Sequence, residues 1–503
     1  MQERRIDVLN YQIEGNSVLS RKEVEAAVMP YLGHQRLVSD VDEARKALLA
    51  AYQEKGFETV NVVIPAQDVR NGVVRLKVVE MKIGRLRVDG ADYYSPEDIR
   101  ERVPSLREGG VPNYNAVSKE LAAVNKSADR LVTPTLRAGL EPGTVDVDLM
   151  VDDKLPLHGS IEVNDRASSN TKRYKVAASI SYGNLFQREH SMNLQAQMSP
   201  EAPGESWVVS ASYVAPLGKL PLTLVGYAVH TDSDVSAIGD INVLGKGNIL
   251  GLRTIYSKVT GDPISPRIHQ FTFGIDYKDF EESLFSENNP SYTPISYMPV
   301  SIGYSQAKRG TSYDMDLGLT AVFGVRGLAA DDAEFGIKRF NAKANWSVVR
   351  ANASYKYKFD SDWHVSAGIA GQWAGEPVIS NEQFSIGGVQ SVRGYYESFQ
   401  LGDDGLSGQL QIDSPSFHGV TNGLIDELRL YTFSDAGYVR IYNPLSVQDS
   451  AAELVSVGGG IRLRALSGLN ANVSIAKPFH RENSTLLDIG DEFRIQFRVW
   501  NEF

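Results

Sequence analysis

Val392-Arg393-Gly394-Tyr395 carries the most informative chemistry in this chain of 503 residues. The arginine lies just after Gly387-Gly388, between segments in which apolar and polar residues alternate. About forty residues later, Phe433-Ser434-Asp435-Ala436-Gly437 lies inside another alternating segment. A guanidinium in a glycine-bearing loop and a carboxylate on a nearby strand are suited to a buried charge pair. Such a pair fixes a loop in place. Its weight depends on the elements that would hold the two residues.

Other arrangements of reactive residues fall away on inspection. The sequence has no G-x-S-x-G, hence no nucleophile elbow. Gly245-Lys246-Gly247 resembles a phosphate loop only in part. Gly239 is one residue too far upstream, and Gly247 stands where a magnesium-binding Ser or Thr is needed. A glycine turn between strands is the better reading. His34, His158, His190, His230, His269, His364, His418 and His480 share no ligand spacing, so no metal site is expected. Asp314 and Asp316 would face one side of a strand. Paired carboxylates can do acid/base work, but a solvated face is the stronger reading here. With no cysteine, disulfides, thiol catalysis and thiolate metal sites are excluded. A net charge of -11 gives no electrostatic support for nucleic-acid binding. The chain is expected to be no enzyme and to carry no cofactor.

The elements come in two styles. Residues 6–152 read as one β-α-α-β-β unit repeated at a period of about 75 residues. In the first unit, Ile6–Ile13 alternates as a strand. Ser20-Arg21-Lys22-Glu23 is a capping box opening a helix, and Asp40 precedes a second helix that Gly56 ends. Val60–Val62 and Val73–Val79 are strands joined around Asn71-Gly72. In the second unit, Ile83–Val88 is a strand, Ser95-Pro96 starts a helix, and Val117, Leu121 and Val124 line the next. Leu131–Leu136 and Val145–Val151 are strands joined across Pro142-Gly143. One larger α+β domain is the simpler alternative to two repeats.

From about Leu157 the helical period stops. Met192, Leu194, Ala196 and Met198 alternate with polar residues, as do Tyr313–Phe323, Trp363–Trp373 and Phe493–Val499. Runs of about ten residues match a tilted strand crossing a bilayer, whereas strands of soluble sheets average nearer five or six. Mean hydropathy is -0.24 and no run approaches an apolar transmembrane helix, which leaves a transmembrane barrel open. Apolar outside and polar inside suits lipid around a watery lumen. Sixteen or seventeen segments qualify, Phe340–Val349 being the one that could be helical. An even number favours sixteen antiparallel strands. The domains are then expected at 1–80, 81–153 and 154–503. No apolar leader stands before the first strand, so a signal peptide is absent from the chain as it stands.

Taken in order, these motifs resemble the outer-membrane transporters of two-partner secretion, the TpsB family of haemolysin and filamentous-haemagglutinin secretion/activation proteins. Tyr52-x-x-x-Gly56-Phe57 and Ile64-Pro65-Ala66-Gln67-Asp68 resemble the family's first POTRA domain. Leu106–Gly109, Asp129–Pro134 and Pro142–Val147 resemble its second. Leu157–Ser160 and Tyr182–Leu185 resemble the entry into its barrel, and Phe503 its C-terminal signal. Phe384–Gly388 through Val392, Arg393, Gly394 and Tyr395 resemble its lumen-folded loop, here around 380–404. Phe433, Asp435 and Gly437 resemble the partner strand of that loop.

The resemblance implies two periplasmic POTRA domains and a pore in the bacterial outer membrane. Through them an unfolded, β-helical TpsA-like partner would be recognised and exported without nucleotide hydrolysis. It also implies contact with outer-membrane lipid and insertion by the barrel-assembly machinery, with no nucleic acid involved. The alternative is a barrel-assembly insertase, which shares POTRA domains and the same loop but usually carries more POTRA repeats. The family's N-terminal plug helix has no counterpart before the first strand here: either it has been removed with the signal peptide or this member lacks one, and the sequence does not predict a plugged pore.

Overall fold

The computed structural model describes residues 5–503 apart from 70, 170, 205, 219, 234, 239–240, 263–264, 282, 287–288, 418–424, 447, 467 and 480–491. Gly239, His418 and His480 therefore lie outside the described residues. The chain divides into two compact units, Met1–Pro156 and Leu157–Phe503.

In the first unit, helix Arg21–Val28 opens at the expected capping box. The Glu23 carboxylate accepts from the Ser20 backbone N–H at 2.8 Å and from its hydroxyl at 2.7 Å. Lys55 also donates to Glu23. That bond first, and those from Ser20 next, hold the carboxyl down to about 2. Helix Val38–Glu54 begins ahead of Asp40, which reaches back to the Leu37 N–H at 3.1 Å from inside the first turn. Gly56 ends it at φ 86°, a left-handed conformation that suits glycine. The Gly56 carbonyl accepts from the Tyr114 N–H at 2.8 Å, which ties the first repeat to helix Tyr114–Val124 of the second.

Ile6–Ile13 is not one strand. Arg5–Val8 pairs with Gly33–Leu37, while Asn10–Glu14 joins a different sheet beside Val73–Glu80. The break falls at Leu9, where the N–H groups of Leu9 and Asn10 both donate to the Gly72 carbonyl. Val8 and Tyr11 are both buried, so the inward face slips by one residue across the break.

Each repeat then forms a three-stranded sheet with the same topology. Val73–Glu80 lies between Asn10–Glu14 and Val60–Val63, and Thr144–Asp153 lies between Lys82–Asp89 and Arg130–Ala138. In both, the first strand runs parallel to the middle one and the other runs antiparallel. Leu48, Tyr52 and Leu76 centre one core, and Ile83, Ile99 and Leu149 the other.

The second unit is a closed barrel. Ile295–Tyr297 and Val300–Arg309 both pair with Ser265–Glu281 and are two pieces of one wall strand, so the wall has sixteen antiparallel strands. The interruption falls at Pro299, which has no N–H to give the ladder. Register puts Leu252 beside Ile275 and Phe273 beside Ile302, giving an apolar outer band. The inner face carries Arg253, whose guanidinium binds Asp276 at 2.6 Å and the Tyr227 hydroxyl at 2.8 Å.

Phe340–Val349 is not a helix, and only its last three residues belong to a wall strand. Helix Asp332–Lys338 stops before it, and the wall resumes at Ser347–Lys358. Its apolar residues Ala342, Ala344 and Trp346 turn into a cluster with Phe280, Tyr297, Phe335 and Ile379. Part of the wall thus carries a buried apolar cluster shared with loop residues, which the polar lumen expected from alternation did not include.

The lumen loop and its anchors

Strand His364–Trp373 ends at one rim and Asp404–Asp413 starts there. Residues 374–403 between them fold inward, steadied by a short hairpin of Phe384–Ile386 with Gln400–Gly402. The loop turns at Gly387 and Gly388, at φ 104° and 96°, and again at Gly394, at φ 89°. An L side chain rarely adopts these angles. A Cβ at Gly394 would also lie 2.9 Å from that of Ala476 on the wall.

The turn at Gly394 presents Arg393 to strand Ile425–Arg440. Along this strand Phe433, Asp435 and Gly437 are buried in alternation with exposed residues, so all three share the inner face. Arg393 Nε lies 2.7 Å from Asp435 Oδ2 and Nη2 2.8 Å from Oδ1, while the Arg393 backbone N–H donates to Oδ2 at 3.0 Å. Nη1 donates to Gln411 Oε1 at 2.6 Å. The guanidinium carbon stands 3.6 Å over the Phe433 ring centroid. The Asp435 side chain is 0% exposed and that of Arg393 10%. Both charges have therefore left water, and their mutual geometry must offset the desolvation.

The neighbouring motif residues complete the fastening. Val392 packs with Ile386, Val439 and Leu454. Gly437 leaves room for it: a Cβ there would lie 2.9 Å from Val392 Cγ2. The Gly394 N–H donates to Gln496 Oε1 at 2.9 Å. The Tyr395 hydroxyl donates to the carbonyls of Val455 and Phe479 at 3.1 and 3.0 Å. Four residues in a row thus reach five wall strands.

Two further buried carboxylates hold the loop and had escaped notice in the sequence. Asp403, 0% exposed, pairs with Arg339 and accepts from the N–H groups of Val378 and Tyr442 at 3.0 and 2.7 Å. Glu382, also 0% exposed, meets Lys278 at 2.5 Å, Arg350 at 3.1 Å and the Tyr297 hydroxyl at 2.8 Å. Their partners come from distant segments, so no local spacing marks them. The Asp403-Asp404 doublet at the start of a strand was the one available signal.

The remaining expected residues are placed as follows. Pro65 and Asp68 lie in the loop after Val60–Val63. In the same loop, the Gln67 amide exchanges two hydrogen bonds with the Arg75 backbone, at 2.7 and 2.8 Å. Phe503 exchanges backbone hydrogen bonds with Gly159, at 2.9 and 3.0 Å, where the last wall strand meets the first. Lys246 and Gly247 sit in strand Lys246–Asp262 rather than around a phosphate. Asp316 pairs with Arg309 at 2.7 Å, as on a solvated face. Among the described residues there is no cluster of three metal-ligating side chains.

Comparison with known proteins agrees with this architecture. Residues 143–463 match the family model of the haemolysin secretion/activation protein ShlB/FhaC/HecB, and residues 6–80 match a ShlB-type POTRA domain. The outer membrane transporter CdiB of Escherichia coli O6:K15:H31 is 22% identical over 91% of this chain and 77% of its own length. The heme/hemopexin transporter protein HuxB of Haemophilus influenzae is 20% identical over 89% of this chain and 79% of its own. The solved structure of CdiB from Escherichia coli aligns with a TM-score of 0.69 at 16% identity, covering 100% of this chain and 91% of that one. BamA from Haemophilus ducreyi shares the fold at a TM-score of 0.58 and 14% identity, over 99% of this chain and 100% of that one. POTRA-type domains ahead of a closed sixteen-strand barrel, with a loop locked inside it, place this chain in the ShlB/FhaC/HecB family of outer-membrane transporters of two-partner secretion.

Proposed function

We propose that this protein exports one secreted partner, of the TpsA type, as an unfolded chain through the barrel lumen. The observation that carries the reading is the lumen loop, fastened by Arg393 to Asp435 inside a closed wall. The loop occupies the path a client would take, and its charged latch fixes where the path is narrow. An aqueous lumen is expected for a barrel of sixteen strands unless something fills it.

The N-terminal domains would stand in the periplasm and receive the client. Asn10–Glu14 and Val60–Val63 in one sheet, and Arg130–Ala138 in the other, each pair with a strand on one side only among the described residues, whereas the outer edge of Lys82–Asp89 is partly taken by Gly109, Gly110 and Glu108. Such edges can hold an extended polypeptide by adding it as a strand. Nothing in this scheme calls for nucleotide hydrolysis. Folding of the client outside the cell, as a β-helix, would bias transit. Insertion of the barrel would rest on Phe503 and the assembly machinery.

Deletion of residues 82–152 tests the receiving role. The account expects loss of binding to the N-terminal domain of the secreted partner in a pull-down. Unchanged affinity would refute it. Loss of many barrel proteins from the outer membrane on deleting the gene, instead of one exported client, would favour an insertase.

A further inference from the structure

Besides the Asp403–Arg339 pair near its end, the lumen loop is fastened to the wall through its tip and through Glu382. Its tip, through Arg393, Gly394 and Tyr395, reaches Gln411, Asp435, Val455, Phe479 and Gln496. These lie on five successive strands, from Asp404–Asp413 to Arg494–Glu502. Its outer half, through Glu382, reaches Lys278, Tyr297, Arg350 and Gln372. Those stand on Ser265–Glu281, Ile295–Tyr297, Ser347–Lys358 and His364–Trp373, which share no strand with the first set. The two sets meet where His364–Trp373 pairs with Asp404–Asp413, and the Glu382 contacts extend from there around the wall to Ser265–Glu281.

We infer that Glu382 is a positioning residue that tethers the outer half of the loop to the wall, and that its release opens the pore while Arg393 stays bound to Asp435. This rests on the pore reading above.

Three observations support it. Glu382 is a fully buried carboxylate facing two cations, so the outer half is held by charge as the tip is. Between Glu382 and Arg393 lie Gly387 and Gly388, both at positive φ, where the backbone changes course. The two centres also differ in wetness. Arg350 is 41% exposed at its side chain, against 10% for Arg393, so water reaches that one of the two cations, while Lys278 is 15% and Glu382 0% exposed. Of the two fastenings, this one is the easier to undo.

The test is ion conductance of the purified full-length protein in planar bilayers under a KCl gradient, for the parent, E382Q, E382A and R350Q. The expected result is a several-fold rise in mean conductance for E382Q and E382A, with a smaller rise for R350Q. The reversal potential should shift toward anions in the Glu382 variants, because Lys278 and Arg350 lose their counter-charge. A merely structural contribution would leave ion selectivity unmoved. Heat-modifiable migration on gels confirms folded barrels, and R350Q serves where E382A fails to insert. Folded variants with parental conductance and reversal potential would overturn the proposal. Absence of current in every protein, including one lacking residues 376–402, would instead overturn the pore reading and the proposal with it.

Discussion

The Arg393 guanidinium carbon stands over the Phe433 ring, 3.6 Å from its centroid, with Asp435 two residues further along the same strand. One planar group thus satisfies an aromatic face and a carboxylate edge together. A lysine at this position would keep the charge and lose both the fork and the stack. Arg393→Lys should therefore secrete far less partner than the parent while the barrel still inserts. Phe433→Leu keeps the fork and removes the stack, a contribution of about 2 kcal/mol when desolvated, together with some packing on Tyr431, and should fall between them. Quantifying partner in culture supernatants against barrel in outer-membrane fractions checks the order.

Gly437 tests the packing side of the latch. A Cβ there meets Val392 Cγ2 at 2.9 Å and Ile386 Cγ2 at 3.1 Å. Overpacking of this kind costs about 1–3 kcal/mol. Gly437→Ala should loosen the loop tip without unfolding the wall, seen as faster proteolysis within 384–402 in an otherwise intact barrel. A cleavage rate equal to that of the parent would contradict the contact.

In the N-terminal unit, Gln67 acts as a backbone surrogate for Arg75, making both hydrogen bonds a neighbouring strand would make. Gln67→Ala should lower the stability of the isolated unit by about 1 kcal/mol, the scale of one or two half-exposed hydrogen bonds. Thermal melts of residues 1–156 followed by circular dichroism check this.

The same unit should show a pH signature at Glu23. Its carboxyl is held down to about 2, against an ordinary 4.5, chiefly by the bond from Lys55. A depressed carboxylate stabilises the fold above its unfolded pKa, and that contribution fades as pH falls from 4.5 toward 2. Glu23→Gln should thus melt slightly lower than the parent at pH 7, with the gap closing by pH 2–3. Glu23 is at the surface, so added salt should narrow the gap as well. A gap independent of pH would contradict the assignment.

Much of this architecture was legible because it is local. Ser20 with Glu23, Ser95 with Pro96, and Asn71-Gly72 each announce an element through side chains a few residues apart. Period-two alternation revealed the wall strands for the same reason. What stayed hidden was non-local or slipped register. Leu9 breaks the first strand through a bond to Gly72, over sixty residues away. Phe340–Val349 mixes apolar and polar residues as a strand does, yet Ala342, Ala344 and Trp346 turn into a cluster assembled from distant loops and wall strands. Asp435 could be paired with Arg393 because both sit in short glycine-marked motifs. Glu382 and Asp403 carry no such frame, and their cations Lys278, Arg350 and Arg339 come from other segments.

The central claim is that the Arg393–Asp435 latch fixes the lumen loop for export. Breaking a buried pair by removing one partner costs about 3–5 kcal/mol, because the other charge is left uncompensated. The direct measurement is secretion of the partner protein by cells carrying Arg393→Ala, with barrel insertion followed in parallel by heat-modifiable migration. The account predicts a folded, inserted barrel and no secreted partner. Secretion at the parental level from that variant would contradict it.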